Sequence, residues 1–196
     1  GKLWDPISGT TTDPSDGYLV PLAELHEQIL GLVTIDRRAV SGENTVDGLV
    51  EMQAFLESPG VYDRVLLLEG TNDYHLDPNG STANEITVPN LVEMVALIRA
   101  HGAIPIVGTM LPRDGHPTAG KAIELRAREV TAALIPAMQR LGVRIARFHE
   151  LFPLDDEHLA DEDGRRVHPT EKGYALMAEI WMEALLTFEG DVARNG

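Results

Sequence analysis

A chain of 196 residues is long enough for one domain with a full hydrophobic core and too short for two ordinary ones, so we expect a single domain over residues 1–196. Apolar residues make up 43% of the chain, but no run is long enough for a membrane span, which predicts a soluble protein, either cytoplasmic or a mature secreted form. The formal net charge of -15 argues against nucleic-acid binding, and the lack of cysteine excludes disulfide scaffolds, thiol nucleophiles and cysteine metal sites.

Short apolar runs alternate with helical patterns along the first third of the chain. KLW at 2–4 is interpreted as the remnant of a first strand. GYLVPLAELHEQILG at 17–31 has helical spacing and a terminal glycine, and LVTIDRRAV at 32–40 is typical of a strand. NTVDGLVEMQAFLESPG at 44–60 is again helical, so the chain starts with alternating strands and helices.

Three further apolar runs are rich in Val, Ile and Leu, as buried parallel strands are. They are VYDRVLLLEG at 61–70, AIPIVGTM at 103–110 and VRIARF at 143–148. Each follows a helical pattern, and a parallel sheet needs such crossover connections. We therefore expect five parallel strands.

The remaining helices have clear apolar stripes and stops. NLVEMVALIRAHG at 90–102 ends on a glycine, a helix is predicted at 119–141, and a last one begins at Glu171 with EKGYALMAEIWMEALLTF. Five strands and about five helices in alternation predict an α/β fold, a three-layer α/β/α sandwich around a five-stranded parallel sheet.

In open parallel sheets, ligands bind outside the carboxyl ends of the strands, so we expect functional residues in the loops that follow strands. Four such loops span residues 5–16, 41–45, 71–80 and 154–169.

Two of these loops offer donors for a developing oxyanion. In EGTNDYH, Asn72 presents a side-chain amide at the end of a strand, and in AVSGENT, Gly42 lets the backbone approach a ligand. The alternative is structural, because Asn72 with Asp73 can cap a turn and turn glycines look the same in sequence.

A candidate general base follows the acidic segment DEDGRRV. His168 precedes PTEKGY, in which Thr170 can cap the last helix. Asp163 is the nearest upstream carboxylate with a glycine after it, while Asp161 and Glu162 compete for the same orienting role. A solvated loop histidine is the alternative.

Taken together, these residues resemble the SGNH, or GDSL, hydrolase family of esterases and lipases. AVSGENTVDGL is similar to the family's glycine block, GTND to its asparagine block and HPTEKGY to its histidine block. The resemblance implies a flavodoxin-like SGNH fold, oxyanion donors at Gly42 and Asn72, His168 as general base, and an ester substrate without a cofactor.

The family's nucleophile block is degenerate in this chain. The matching stretch reads LWDPISGTTTDPSDGY, with Trp4 in place of the glycine and Pro6 in place of the serine. Ser8 is a substitute nucleophile only if the loop is rearranged, because two positions along a helical turn rotate a side chain by about 200°. The family's aspartate lies three residues before the histidine, and that position here is Arg165.

Other classes of function remain open. A domain of this family without catalysis would bind an acylated ligand. SGTTTD after a first strand also resembles the phosphate loop of flavodoxins, which would bind FMN. A metal-dependent hydrolase would use side chains that can converge at the strand ends, namely Asp5, Asn72, Asp73, His75 and His168.

Overall fold

The computed structural model of the chain has the predicted alternation of strands and helices around one parallel sheet. It describes residues 2–5, 17–40, 42–57, 61–75, 83–113, 120–161 and 166–192.

The main sheet has five parallel strands in the order β2-β1-β3-β4-β5, so the first strand lies inside the sheet. A second, two-stranded antiparallel sheet pairs β6 with β7. The strands are β1 Lys2–Asp5, β2 Thr34–Arg37, β3 Arg64–Leu67, β4 Ile104–Gly108, β5 Arg144–Ala146, β6 Leu159–Asp161 and β7 Arg166–Pro169.

Within the described ranges, six α-helices connect the strands or follow them. They are α1 Leu19–Leu30, α2 Thr45–Glu57, α3 Val88–Ala100, α4 Gly120–Arg140, α5 Phe148–Leu151 and α6 Glu171–Val192. A 3₁₀ helix, Thr71–His75, follows β3, and a π-helical turn, Ala83–Thr87, leads into α3. Among the described helices, none is long and apolar enough to cross a lipid bilayer.

Successive side chains along a strand point to opposite faces of the sheet, so they pack into two separate cores. Leu66 and Leu68 pack with α1 and α6 on one face of the sheet, whereas Val65 and Leu67 pack with α2, α3 and α4 on the other. The three-layer α/β/α prediction is therefore confirmed.

Aromatic residues join the helices of the first core. The indole of Trp181 is fully buried in α6, with the ring of Phe148 edge-on at 5.0 Å and the ring of Tyr18 at 6.2 Å between centroids. The start of α1 is thus packed directly on α6.

The expected alternation is wrong in the stretch before the last helix. Instead of one irregular loop over 154–169, the chain forms the antiparallel pair β6–β7, with Leu159 opposite Pro169. Strands of three and four residues, interrupted by a register shift, are too short to show a period of two in the sequence.

Candidate active site

A short loop between β2 and α2, residues 42–44, is here called the donor loop. Gly42 has φ +78°, a left-handed conformation that L residues rarely adopt, although a Cβ there would meet no atom within 4 Å. The backbone conformation of the loop, rather than a lack of space, requires glycine at this position.

The amide of Asn72 joins the 3₁₀ helix after β3 to the donor loop. Its Nδ2 donates a hydrogen bond of 2.7 Å to the carbonyl oxygen of Glu43. An asparagine amide has two N–H donors, so this bond commits one of them and fixes the direction of the other. The two segments predicted to hold oxyanion donors are therefore in direct contact.

Gly70 permits the sharp exit from β3 that places Asn72. Its φ is +114°, and a Cβ would lie 2.5 Å from Cγ2 of Thr87. Both the conformation and the close approach of the π-helical turn therefore demand glycine.

Asp73 is buried and ties three segments together. Its Oδ1 accepts a 2.7 Å hydrogen bond from the backbone N–H of Thr45, and its Oδ2 accepts bonds of 2.7 and 2.5 Å from the hydroxyls of Thr45 and Thr87. The amide of Asn90 in turn donates to the Thr45 hydroxyl. Asp73 thus holds the start of α2 against the 3₁₀ helix, a larger role than capping a local turn.

Asn44 caps α2 and completes its N-terminus. Its Oδ1 accepts from the N–H groups of Val46 and Asp47 at 3.0 and 3.1 Å, and its carbonyl oxygen accepts from the N–H of Gly48. With the Thr45 N–H bonded to Asp73, the first four N–H groups of the helix all have acceptors.

His168 lies in β7, half-buried, three residues before the first residue of α6. The predicted cap of α6 by Thr170 is confirmed, because the Thr170 hydroxyl accepts a 3.1 Å bond from the N–H of Gly173. The Thr170 N–H donates 2.9 Å to the carbonyl oxygen of His158 before β6. The backbone of His168 is therefore anchored by the β6–β7 pairing and by a capped helix.

The end of the nucleophile block, at Gly17, meets the first turn of α6. A Cβ on Gly17 would lie 3.2 Å from the ring of Tyr174, so the backbone at the start of α1 lies against that ring. This contact places Gly17, just before α1, near the same end of α6 as β7.

A model of the GDSL-like lipase/acylhydrolase family matches residues 5–176, most of the chain. The chain belongs to this family. No curated protein matches the chain as a relative.

Solved structures of esterases and of a lipase share the fold of this family member. An esterase EstA from Pseudoalteromonas sp., inhibited by monoethylphosphonate, has TM-score 0.72 at 16% identity over 96% of this chain and 98% of its own. A lipase/acylhydrolase from Enterococcus faecalis has TM-score 0.71 at 22% identity over 93% of each chain. An acetyl xylan esterase, AlAXEase, has TM-score 0.73 at 13% identity over 93% of this chain and 98% of its own.

Three residues predicted for this GDSL-type site lie outside the described residues. They are Pro6, at the position of the family's nucleophile, the candidate substitute Ser8, and Asp163, the candidate partner of His168. Their roles stay predictions, as do those of Gly42, Asn72 and His168.

Two acids beside the GDSL-type site, one buried and one partly buried, were not predicted from the sequence. Glu69, directly before Gly70, is 7% exposed, and burial raises the pKa of its carboxyl to about 9, with further contributions from Glu43 and Asp73. Burial, followed by the neighbouring Glu51, raises the pKa of Glu43 to about 7. The sequence contained a signal for the burial of Glu69. This residue follows the apolar run LLL and, by the alternation of side chains along a strand, lies on the same face as Val65 and Leu67.

A second missed feature is a histidine–aspartate pair beside β6. Nδ1 of His158 lies 2.7 Å from Oδ1 of Asp155, and this hydrogen bond lowers the pKa of the Asp155 carboxyl. The spacing of three residues in DDEH was the available signal. Asp155 Oδ1 also accepts from the backbone N–H groups of Glu157 and His158, so the pair shapes the turn before β6.

The metal-dependent alternative stays a prediction, since two of its side chains, those of Asp5 and His75, are not among those the structure describes. Among the described residues, no three His, Asp or Glu side chains are grouped as a metal site. Both oxygens of Asp73 already accept hydrogen bonds from threonine groups.

Proposed function

We propose that the protein is an SGNH-type carboxylic ester hydrolase for small acyl or acetyl esters, with weak activity because Pro6 occupies the nucleophile position. The hydrogen bond from Asn72 Nδ2 to the Glu43 carbonyl carries this proposal. It supports a paired donor site, since it aligns the asparagine amide with the loop that presents the Gly42 N–H.

Each residue has a distinct role in this proposal. The N–H of Gly42 and the second N–H of Asn72 stabilise negative charge on the carbonyl oxygen of the ester in the tetrahedral transition state. His168 takes the proton of the attacking group and returns it to the leaving alcohol, and Asp163 orients the imidazole. In the family's acyl-enzyme route, the attacking group is a serine hydroxyl.

Pro6 removes two parts of that machinery. Proline has neither a hydroxyl to attack the ester nor a backbone N–H to donate to the oxyanion. In a well-studied serine protease, removal of a triad member leaves roughly 10³- to 10⁴-fold catalysis over water. Activity of this order, with Ser8 or a water activated by His168 as the nucleophile, is the proposal for the chain as it stands.

The esterase EstA and the acetyl xylan esterase support the choice of substrate class, because the names of both specify ester hydrolysis. Small acyl and acetyl esters are therefore the first substrates to test.

The test restores the missing nucleophile. We expect the natural chain to hydrolyse p-nitrophenyl acetate slowly or not at all. Pro6→Ser, alone or with Trp4→Gly, should raise the rate of hydrolysis. It should also be labelled by a serine-directed phosphonate, as measured by intact mass. Ser8→Ala is the matched control and leaves this gain unchanged. Rapid turnover by the natural chain that Ser8→Ala abolishes would contradict the role of Pro6, and an unlabelled double variant would contradict the assigned nucleophile block.

Pro6 also favours a second function, a non-catalytic domain that binds an acylated ligand. Binding of a non-hydrolysable acetyl ester analogue to the natural chain, lost in His168→Ala and measured by calorimetry, would support it. Ester turnover by the natural chain would contradict it.

A further inference from the structure

A glutamate occupies a core position at the end of β3. Side chains alternate along the strand, and Val65 and Leu67 pack against α2 and α3 in the second core. Position 69 continues that row, and Glu69 is only 7% exposed. The strand pattern calls for an apolar residue here, so the carboxyl group needs an explanation.

The carboxyl group of Glu69 is pressed against the backbone of α2. A Cβ on Gly48 would lie 2.1 Å from Oε1 of Glu69, so only glycine leaves room for this carboxyl. Neither oxygen of Glu69 has a hydrogen-bond partner among the described residues. A buried carboxylate without donors is strongly destabilised relative to the neutral acid.

Among the described residues, the charged groups that act on Glu69 are all acidic. They are Glu43 in the donor loop, Asp47 and Glu51 on α2, and Asp73 in the 3₁₀ helix. From α3, the neutral Asn90 joins the same region through its bond to Thr45. Each acidic neighbour opposes a negative charge on Glu69, so proton uptake is the available way to relieve the repulsion.

Glu43 links this buried acid to the predicted oxyanion donors. Its Oε1 is buried and has no hydrogen-bond partner in the part of the chain that the structure describes. Its backbone follows Gly42, and its carbonyl oxygen accepts from Asn72. Glu69 is likewise joined to Asn72 through Gly70 and Thr71. Glu69 and Glu43 also interact electrostatically, so a charge on Glu69 acts on the residue that accepts the Asn72 hydrogen bond.

We propose that Glu69 and Glu43 are positioning residues whose bound protons keep the donor loop against Asn72, and that ionisation of Glu69 separates the two. The consequence for catalysis rests on the proposed function; the structural consequence does not.

The pKa values give the pH window and its sign. A carboxyl of ordinary pKa 4.5 whose folded pKa is about 9 binds its proton more tightly in the folded state. Its contribution to stability is therefore complete below pH 4.5 and is lost as the pH rises toward 9. Glu43, with a pKa of about 7, contributes in the same direction over a lower range.

The decisive experiment is carbon-detected NMR of the full chain between pH 4 and 10, which avoids fast amide exchange at high pH. We expect the side-chain carboxyl carbon of Glu69 to titrate near pH 9, and the backbone carbonyl carbons of Gly42 and Asn72 to shift with the same midpoint. Titration of Glu69 near 4.5, or titration near 9 without a shift at Gly42 and Asn72, would overturn the proposal. This measurement needs no variant, so it holds even where a substitution prevents folding.

Glu69→Gln keeps the shape of the side chain and removes the ionisation. In this variant we expect the step near pH 9 to vanish from Gly42 and Asn72, and the thermal midpoint to fall less between pH 6 and 9.5 than in the natural chain. Glu93→Gln, at an exposed acid on α3, is the matched control and leaves both readouts unchanged. Parallel stability curves for Glu69→Gln and the natural chain would contradict the proposal.

Activity provides a separate readout in the Pro6→Ser background. We expect kcat/KM of that variant to fall above pH 9, and addition of Glu69→Gln to remove this alkaline loss. An identical alkaline loss with and without Glu69→Gln would overturn the catalytic consequence. An inactive Pro6→Ser variant would count against the proposed function instead, while the carbon shifts still decide the proposal about Glu69.

Discussion

Two adjacent polar residues after β3 hold the segments of the candidate site together. Asp73 accepts hydrogen bonds from two threonines, and Asn72 donates to the donor loop. Adjacent residues of one short motif therefore divide two tasks. Asp73 fixes the scaffold, and Asn72 holds the donor loop through the carbonyl oxygen of Glu43.

Asp73→Ala tests the scaffolding role. The substitution leaves the Thr45 N–H and two threonine hydroxyls without their buried acceptor, so we expect a loss of about 3 kcal/mol in the free energy of unfolding. Urea denaturation followed by circular dichroism measures it. The exposed Asp47 provides the control, and Asp47→Ala should cost less than about 1 kcal/mol. Equal losses in both variants would refute the role of Asp73.

Asn72→Ala tests the oxyanion role in the Pro6→Ser background. Loss of one donor to the oxyanion should lower kcat by about 10²- to 10³-fold, or roughly 2.7–4 kcal/mol of transition-state stabilisation. Steady-state kinetics with p-nitrophenyl acetate measure kcat, and thermal melting shows whether the variant remains folded. A folded variant with unchanged kcat would remove Asn72 from the mechanism.

At the scale of elements, the N-terminus of α2 is fully hydrogen-bonded. Its first four N–H groups bond to Asp73 and to the side chain and carbonyl of Asn44. The same helix presents Gly48 to Glu69. The position of α2 therefore controls both the donor loop that precedes it and the buried acid beneath it.

Asn44→Ala tests the contribution of this cap. The variant loses the acceptor for the Val46 and Asp47 N–H groups, and we expect it to be less stable by about 1 kcal/mol in thermal or urea unfolding. Asn44→Ser retains an acceptor oxygen and should stay close to the natural chain. If both variants have the same stability, the side-chain cap contributes nothing measurable.

At the scale of the whole molecule, the excess of acidic over basic residues destabilises the folded state by charge repulsion. The 31 acidic and 16 basic residues leave a formal net charge of -15, and the folded state holds these charges closer together than the unfolded state does. Buried acids beside the candidate site add to this repulsion wherever they ionise.

Salt should therefore stabilise the protein. Because screening reduces repulsion among exposed charges, we expect the thermal midpoint to rise between about 10 mM and about 500 mM sodium chloride at pH 7.5. Potassium chloride serves as the matched salt and should act equally, since ionic strength is the cause. A midpoint that is flat or falls with salt would show that net repulsion does not limit stability.

Much of the fold was predictable because its information is local. The apolar runs at 61–70 and 103–110 contain β3 and β4, and helical spacing located α3 and α4 within a residue or two of their ends. The β6–β7 pair was not predictable, because strands that short carry no period of their own.

The sequence by itself determined the order of the strands and helices of the main sheet. It also put the glycine and asparagine motifs after two of those strands and the histidine motif directly before the last helix, since periodicity and turn chemistry act over a few neighbouring residues. Only the tertiary structure decided that Asn72 bonds to Glu43, 29 residues away, and that Asp73 binds Thr45, 28 residues away. It also decided that Glu69 is buried, because the burial of a strand residue depends on which helix covers that face of the sheet. Here α2 presents a glycine, and the bare backbone of Gly48 leaves the carboxyl of Glu69 enclosed without a partner among the described residues.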